Sequence, residues 1–338
     1  MSAPPESQTA TTHAPVSVRA SGDRWRPSPP TVQKLALAAL IANIAIVASG
    51  GLVRLTDSGL GCPSWPNCAG SSVVPTRQLS WHKYVEFGNR LFTYVVLAAA
   101  IAALVGVLRE RPRRRELRVW AWLVFLGVPA QAVMGGITVL TDLNPWAVAA
   151  HFILSMLLVG AATVLWWRAR TPAVTAVTAA TAATAATAAT AVAASAVHPL
   201  LRRLAWAVWA VTYAVFCVGT IVTGSGPHAG DPSARRIAIK PASIAQLHAD
   251  LVMLLVGLAL ALAVAVTASG AGHAVRTTTR VLIGALAFQA AVGFAQYFDK
   301  LPIGLVELHL FGSAVIAAAA TAVVVSITRD ESAPIIKR

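Results

Sequence analysis

Charge is what this chain has least of. Only 12% of its 338 residues are Asp, Glu, Lys or Arg, against about 25% in an ordinary soluble domain. With 57% hydrophobic residues and a mean hydropathy of +0.67, that shortage excludes a soluble globule and leaves a polytopic membrane protein. Acid is scarcer still, with 13 Asp and Glu against 27 Lys and Arg and a net charge of +14. The surplus does not imply nucleic-acid binding. The basic residues form no single patch but lie in short segments between apolar runs, as membrane orientation requires. Three cysteines are too few for a disulfide scaffold, although Cys62 and Cys68 share one loop. Residues 1–30 lack any apolar stretch, which argues against a cleaved signal peptide. Their Arg and Ser content would suit a mitochondrial presequence, but the prolines work against an amphipathic helix. A disordered cytoplasmic tail over residues 1–33 is the expectation.

A membrane span needs about 20 apolar residues. Eight stretches qualify, near 34–56, 82–108, 118–141, 146–168, 202–224, 243–268, 276–297 and 302–327. The most basic segment, Arg109-Glu-Arg-Pro-Arg-Arg-Arg115, should be cytoplasmic, and Arg168, Arg170, Arg202, Arg203, Arg276 and Arg280 mark the other inside loops. Both termini are then inside. The loops at 57–81, 142–145, 225–242 and 298–301 face out, with Arg235, Arg236 and Lys240 as a mild violation. Residues 171–197 carry no charge and imitate a ninth span, but they are Thr-Ala-Ala repeats with Val as the only large apolar side chain. A cytoplasmic linker over 169–201 is the better reading.

The linker joins two copies of one unit. Gln131 precedes His151 by 20 residues and Gln289 precedes His309 by 20. Gln131-Ala-Val-Met-Gly-Gly136 answers Gln289-Ala-Ala-Val-Gly-Phe294, and Gly51-Leu-Val-Arg-Leu-Thr-Asp-Ser-Gly59 resembles Gly219-Thr-Ile-Val-Thr-Gly-Ser-Gly226. Four spans per copy return the chain to its starting side. The expected fold is therefore all-α and integral to the membrane. Its eight transmembrane helices form two parallel four-helix-bundle repeats, at 34–168 and 202–327, related by a pseudo-twofold along the membrane normal. A cytoplasmic tail follows at 328–338.

Three of the eight histidines lie inside spans: His151, His248 and His309. Each falls five or six residues into a span entered from outside, roughly 8 Å below the outer boundary at 1.5 Å per residue. The position matching His248 in the first copy is Asn89. Two imidazoles from separate helices at one depth in lipid suit the two faces of a haem iron. Zinc or a di-iron centre would need more ligands, carboxylates among them. The plainer alternative is a polar contact between helices. His228 is expected to be a solvated loop residue, His82 an interfacial one and Cys217 inert packing. Glu86 is the carboxylate clearly inside a span near this layer, on one helix face with Asn89, with Arg90 one residue further round. It is either half of an interfacial ion pair with Arg90 or a proton acceptor beside the site. Arg54 and Arg90 offer partners for haem propionates. Cys62 and Cys68, outside the membrane, should form a disulfide, either a staple or a redox-active pair.

Gly51-Leu-Val-Arg-Leu-Thr-Asp-Ser-Gly-Leu-Gly-Cys-Pro-Ser-Trp-Pro-Asn-Cys68 strongly resembles the first outer loop of haem A synthases, and Glu86-Phe-Gly-Asn-Arg90 is similar to that family's Glu-x-x-His-Arg motif. The resemblance runs over nearly all of residues 34–327. It implies a membrane oxidoreductase of cytochrome oxidase assembly that converts haem O to haem A, a ring methyl becoming formyl by successive hydroxylation and loss of water. It also implies a resident haem b on His248 and His309, and substrate haem bound by His151 with Glu86 near the reacting methyl. Haem O would come from a haem O synthase, and an electron donor is required. Membrane lipid surrounds the chain, and a homo-oligomer is compatible with the pattern. The chain departs from the family at Asn89, a poor iron ligand, which leaves substrate ligation by His151 alone. The rival readings are a di-haem b electron-transfer protein without substrate, and a repeat-built transporter with proton-relay histidines.

Overall fold

The computed structural model describes residues 25–75, 81–170 and 199–330, and these are helical apart from their connections. The helices are α1 (Pro29–Leu55), α2 (His82–Arg109), α3 (Arg115–Leu140), α4 (Pro145–Ala169), α5 (Pro199–Ser225), α6 (Pro241–Ala268), α7 (His273–Phe298) and α8 (Ile303–Asp330). All eight are long and apolar enough to cross a membrane. The Thr/Ala segment at 171–198, with the ninth-span alternative, lies outside the described residues, as do residues 1–24 and 331–338 of the two tails.

The helices begin where backbone chemistry starts them, a few residues ahead of the hydropathy boundary. Pro29 and Pro30 open α1 and Pro241 opens α6, because proline fixes a helical φ and its missing N–H has no partner in a first turn. At α4, Pro145 follows an Asn144 cap whose side chain accepts the Trp146 N–H at 3.0 Å, satisfying one of the free donors of the first turn.

In each half the packing closes a ring. Helix α1 packs on α2, α2 on α3, α3 on α4 and α4 back on α1; α5 through α8 repeat the pattern. The halves meet where α8 touches α1 and α4, and where α4 touches α5. Helix α8 is therefore central: 78% of its most apolar window is buried, against 22–39% in the other seven. Its small side chains, Ser313, Ala314, Ala317, Ala319 and Ala320 among them, allow the close approach of backbones on which helix association in lipid depends. Tyr213 Oη donates across the seam to the Met156 carbonyl at 2.9 Å, and within the second half Trp209 Nε1 joins α5 to α8 through Thr321 Oγ1 at 3.2 Å.

The turns that feed α4 and α8 are alike. Asp142 and Leu143 have φ of 52° and 54°, and Lys300 and Leu301 have 59° and 62°. The Leu143 N–H reaches the Thr138 carbonyl and the Leu301 N–H the Gln296 carbonyl, both at 2.8 Å. This left-handed close to a helix is usually made by glycine; here a leucine adopts it twice, at an offset of 158 residues (301 − 143). The same offset separates His151 from His309. Each histidine thus lies eight residues beyond an identical turn, and that turn sets its depth.

Candidate functional site

The copied Gln–His pairs meet in the same way. Gln131 Nε2 donates to the His151 carbonyl at 3.3 Å and to Ser155 Oγ at 2.8 Å. Gln289 Nε2 donates to the His309 carbonyl at 2.8 Å and to Ser313 Oγ at 3.3 Å. Each serine hydroxyl donates to the same histidine carbonyl, at 2.9 and 3.0 Å. The glutamine therefore serves the backbone of the histidine rather than its ring, and leaves the imidazole free. Ser155 and Ser313 were not singled out in the sequence; their signal is the four-residue step after each histidine.

What faces the rings is glycine. A β-carbon on Gly219 of α5 would stand 3.2 Å from His248 Cε1, and one on Gly293 of α7 would stand 3.3 Å from His309 Cε1. On Gly135 of α3 it would lie 3.6 Å from His151 Cε1. The second half is thus the tighter of the two. His248 and His309 come together with ring centres 6.5 Å apart and planes at 64°. Nδ1 of His151, His248 and His309 is in each case buried without a hydrogen-bond partner. A buried polar atom left unpaired costs roughly 1–3 kcal/mol, so three unpaired ring nitrogens make these histidines a candidate site. Among the described residues no group of three or more His, Cys, Asp or Glu stands together as a metal cage.

The first half is organised around the loop between α1 and α2. Cys62 and Cys68 are joined by a disulfide, with Cα atoms 4.3 Å apart. Glu86, 4% exposed, accepts the Cys62 N–H at 2.6 Å and the Arg90 Nε–H at 3.1 Å. Arg90 also donates to the carbonyls of Cys62, Ser64 and Asn67, each at 3.0 Å. The Glu86–Arg90 ion pair therefore clamps the disulfide loop onto α2, and Arg90 is engaged by protein on every side. The loop places Trp65 against Gly136 of α3, where a β-carbon would collide with the indole. Gly136 adjoins Gly135, the glycine that faces His151. Glu86 and His151 are linked in this way through the loop. Asn89 Oδ1 accepts the Ser49 hydroxyl at 2.6 Å.

Several expectations change. Glu86 is not alone in its layer: Glu307 of α8 lies two residues before His309, against Gly51 of α1, with both carboxylate oxygens buried and unpartnered. A lone carboxylate in an apolar run was the signal for it. His228 is no solvated loop residue; its Nε2 lies 3.1 Å from the Leu301 carbonyl and its own carbonyl accepts Arg54 Nε–H at 2.7 Å. Arg54 also donates to the Thr223 carbonyl at 3.0 Å, so it ties α1 to the second half. Cys217 is exposed on the outer surface of the bundle, not packed inside. His82 opens α2, stacked on Trp81 with Nδ1 2.8 Å from the Thr56 carbonyl.

The sequence model of the cytochrome oxidase assembly protein family, COX15-CtaA, matches residues 33–321. Among curated relatives, a protein named Heme A synthase from Geobacillus kaustophilus (strain HTA426) is 34% identical over 126 residues, 37% of this chain and 38% of that protein. Its namesake from Geobacillus thermodenitrificans is 34% identical over 142 residues, 40% of this chain and 44% of the relative. Another, from Methylobacterium sp. (strain 4-46), is 32% identical over 146 residues, 40% of each. The chain thus spans about two fifths of the length of the curated relatives it matches. The family match, by contrast, runs from the first turns of α1 into the last turns of α8, and the chain belongs to the COX15-CtaA family of cytochrome oxidase assembly proteins.

Proposed function

We propose that this protein is a haem A synthase, which oxidises a ring methyl of haem O to a formyl group to make haem A for cytochrome oxidase. The observation that carries the reading is the His248–His309 pair, with ring centres 6.5 Å apart. Two imidazoles on separate helices at that separation would hold a haem iron between them. The donor set also fits. Two imidazoles with no third protein ligand suit an iron whose other four positions belong to a macrocycle, and the glycines opposite leave room for the rings. A haem b held there would supply one-electron redox chemistry.

Within this reading His248 and His309 hold the haem b iron, and Gln289 and Ser313 fix the α8 backbone at His309. In the first half His151 binds the iron of haem O. Ser49 occupies Asn89 Oδ1, so Asn89 offers the substrate site its amide N–H donors and no imidazole. A substrate held through one protein ligand exchanges more readily than a cofactor held through two. Glu86 serves as a proton acceptor or positioning group beside the reacting methyl, and Arg90 and the Cys62 amide orient its carboxylate. The 62–68 loop, with Trp65 seated on α3, keeps bulk water from the outer mouth. The two halves are parallel repeats about an axis along the membrane normal, both termini are cytoplasmic and both sites lie near the outer face. Haem O arrives from a haem O synthase, and each hydroxylation draws two electrons from an electron donor and two protons with one dioxygen as oxidant, one oxygen atom entering the methyl carbon and the other leaving as water.

Haem extracted from cells lacking the protein and resolved by chromatography tests the reading. Haem O should accumulate and haem A should be missing; haem A at the normal level would overturn it. A di-haem electron carrier would leave haem A untouched and would not depend on Glu86.

A further inference from the structure

At the arginine-rich end of the bundle, far along the helices from the histidine layer, lies a cavity that the proposed reaction does not use. The segment ahead of α1 brings Trp25 and Arg26 against the last turn of α2 and the loop after it. With Leu108, Arg109 and Arg111 they line a cavity of about 350 Å³. Three of its five walls are guanidinium and none is acidic.

Among the described residues the acids nearby in sequence are already engaged. Glu110 is buried and bonded to Arg114, with 3.0 Å from Nε to Oε2, and Glu116 pairs with Arg168 at 2.8 Å. Among the described residues no carboxylate forms an ion pair with Arg26, Arg109 or Arg111. Like charges this close disfavour one another. Arg113 foremost, then burial, Arg26 and Arg118, draw the Arg111 guanidinium below its ordinary range. A cluster of guanidinium groups around a cavity, with no counter-charge among the described residues, suits an anion.

We propose that this cavity binds the phosphate of an anionic phospholipid headgroup. Guanidinium matches phosphate oxygens in geometry as well as charge. The cavity lies where the apolar runs of α1 and α2 end, at the level of a headgroup. Leu108 and Trp25 give it an apolar wall for the glycerol and upper acyl chain, and tryptophan favours that depth. Basic pockets at the ends of transmembrane helices on the anionic cytoplasmic leaflet are recognised lipid sites, and the arginine content of this end assigns it to that leaflet.

The test is native mass spectrometry of the full-length protein titrated with phosphatidylglycerol in detergent, read as lipid retained per chain. It measures lipid mass and so stands apart from haem chemistry. The wild-type chain should retain one phosphatidylglycerol. The triple variant Arg26→Gln, Arg109→Gln, Arg111→Gln should bind it roughly a hundredfold more weakly, from three charges each contributing near the surface. A control with Arg235→Gln, Arg236→Gln and Lys240→Gln, at the opposite end, should bind as wild type does. Inorganic phosphate at millimolar concentration should fail to displace the lipid. Equal retention by the first variant, equal loss in the control, or displacement by phosphate alone each overturns the proposal. Should the triple variant not accumulate, Arg111→Glu alone, in the exposed loop, replaces it with the same outcomes.

Discussion

The indole of Trp65 lies on Gly136, with no space for a β-carbon between them. The loop between α1 and α2 is thereby seated on α3, one residue from the glycine that faces His151. Gly136→Ala should unseat the loop and destabilise the protein by about 1–3 kcal/mol, as overpacking does. Trp65→Ala in the same chain should relieve part of that loss, because the two residues share one contact. Thermal unfolding of both single variants and the double variant checks this. Strictly additive effects would mean that the contact does not hold the loop.

The glycines opposite the histidines separate the halves. Gly219→Ala and Gly293→Ala press within 3.2 and 3.3 Å of His248 and His309, whereas Gly135→Ala meets His151 at an ordinary 3.6 Å. The first two should lower the b-type haem content of the purified protein, and Gly135→Ala should leave it near the wild-type level. Alanine favours a helix over glycine by up to about 1 kcal/mol, so unfolding temperature need not fall in step. Absorbance per chain is the measurement that decides. His248→Ala or His309→Ala should abolish the b-type spectrum.

Removing Glu86 leaves Arg90 without its carboxylate and Cys62 with an unpaired amide. Glu86→Ala should halt haem A production and cost about 1–3 kcal/mol of stability; the lower part of the range applies because Arg90 keeps three carbonyl partners and its side chain is 20% exposed. Arg90→Lys should loosen the loop yet retain the carboxylate, so some haem A should persist. Extracted-haem chromatography beside thermal unfolding distinguishes the two. Undiminished haem A from Glu86→Ala would remove Glu86 from the chemistry.

Asn89→His would place an imidazole where the second half has His248. Haem per chain should rise and haem A output fall, since a substrate gripped from both sides leaves more slowly. Ser49→Ala breaks the bond to Asn89 Oδ1 and should cost only about 1 kcal/mol. Haem-to-protein ratios of the purified variants measure the effect. An unchanged ratio in Asn89→His would mean that position 89 does not face the iron.

The spans were legible because twenty apolar residues between arginines have one physical reading in a bilayer, and the structure moves their ends by only a few residues. The Gln–His copies were legible as spacing, but the bond that explains them, from glutamine to a backbone carbonyl, was not. The turn that fixes histidine depth was hidden because Leu143 and Leu301 adopt a conformation that leucine rarely takes, so no glycine advertises it. Arg54 and Arg90 looked available to an anionic ligand. Their partners are backbone carbonyls of loops, whose positions depend on tertiary folding and leave no trace in composition. Glu307 stood in plain view in its apolar run, yet its place against Gly51, between the two halves, depends on how those halves meet.

Helix α8 is the most enclosed of the eight and also the last of them to leave the ribosome. While it is still being made, α1, α4, α5 and α7 have a neighbour missing. The first half can close its own ring beforehand, but the second half and the seam between the halves close only when α8 arrives, in one late event of biogenesis. The segment that ends this wait also carries His309, so completion of the bundle and arrival of the second imidazole are one step.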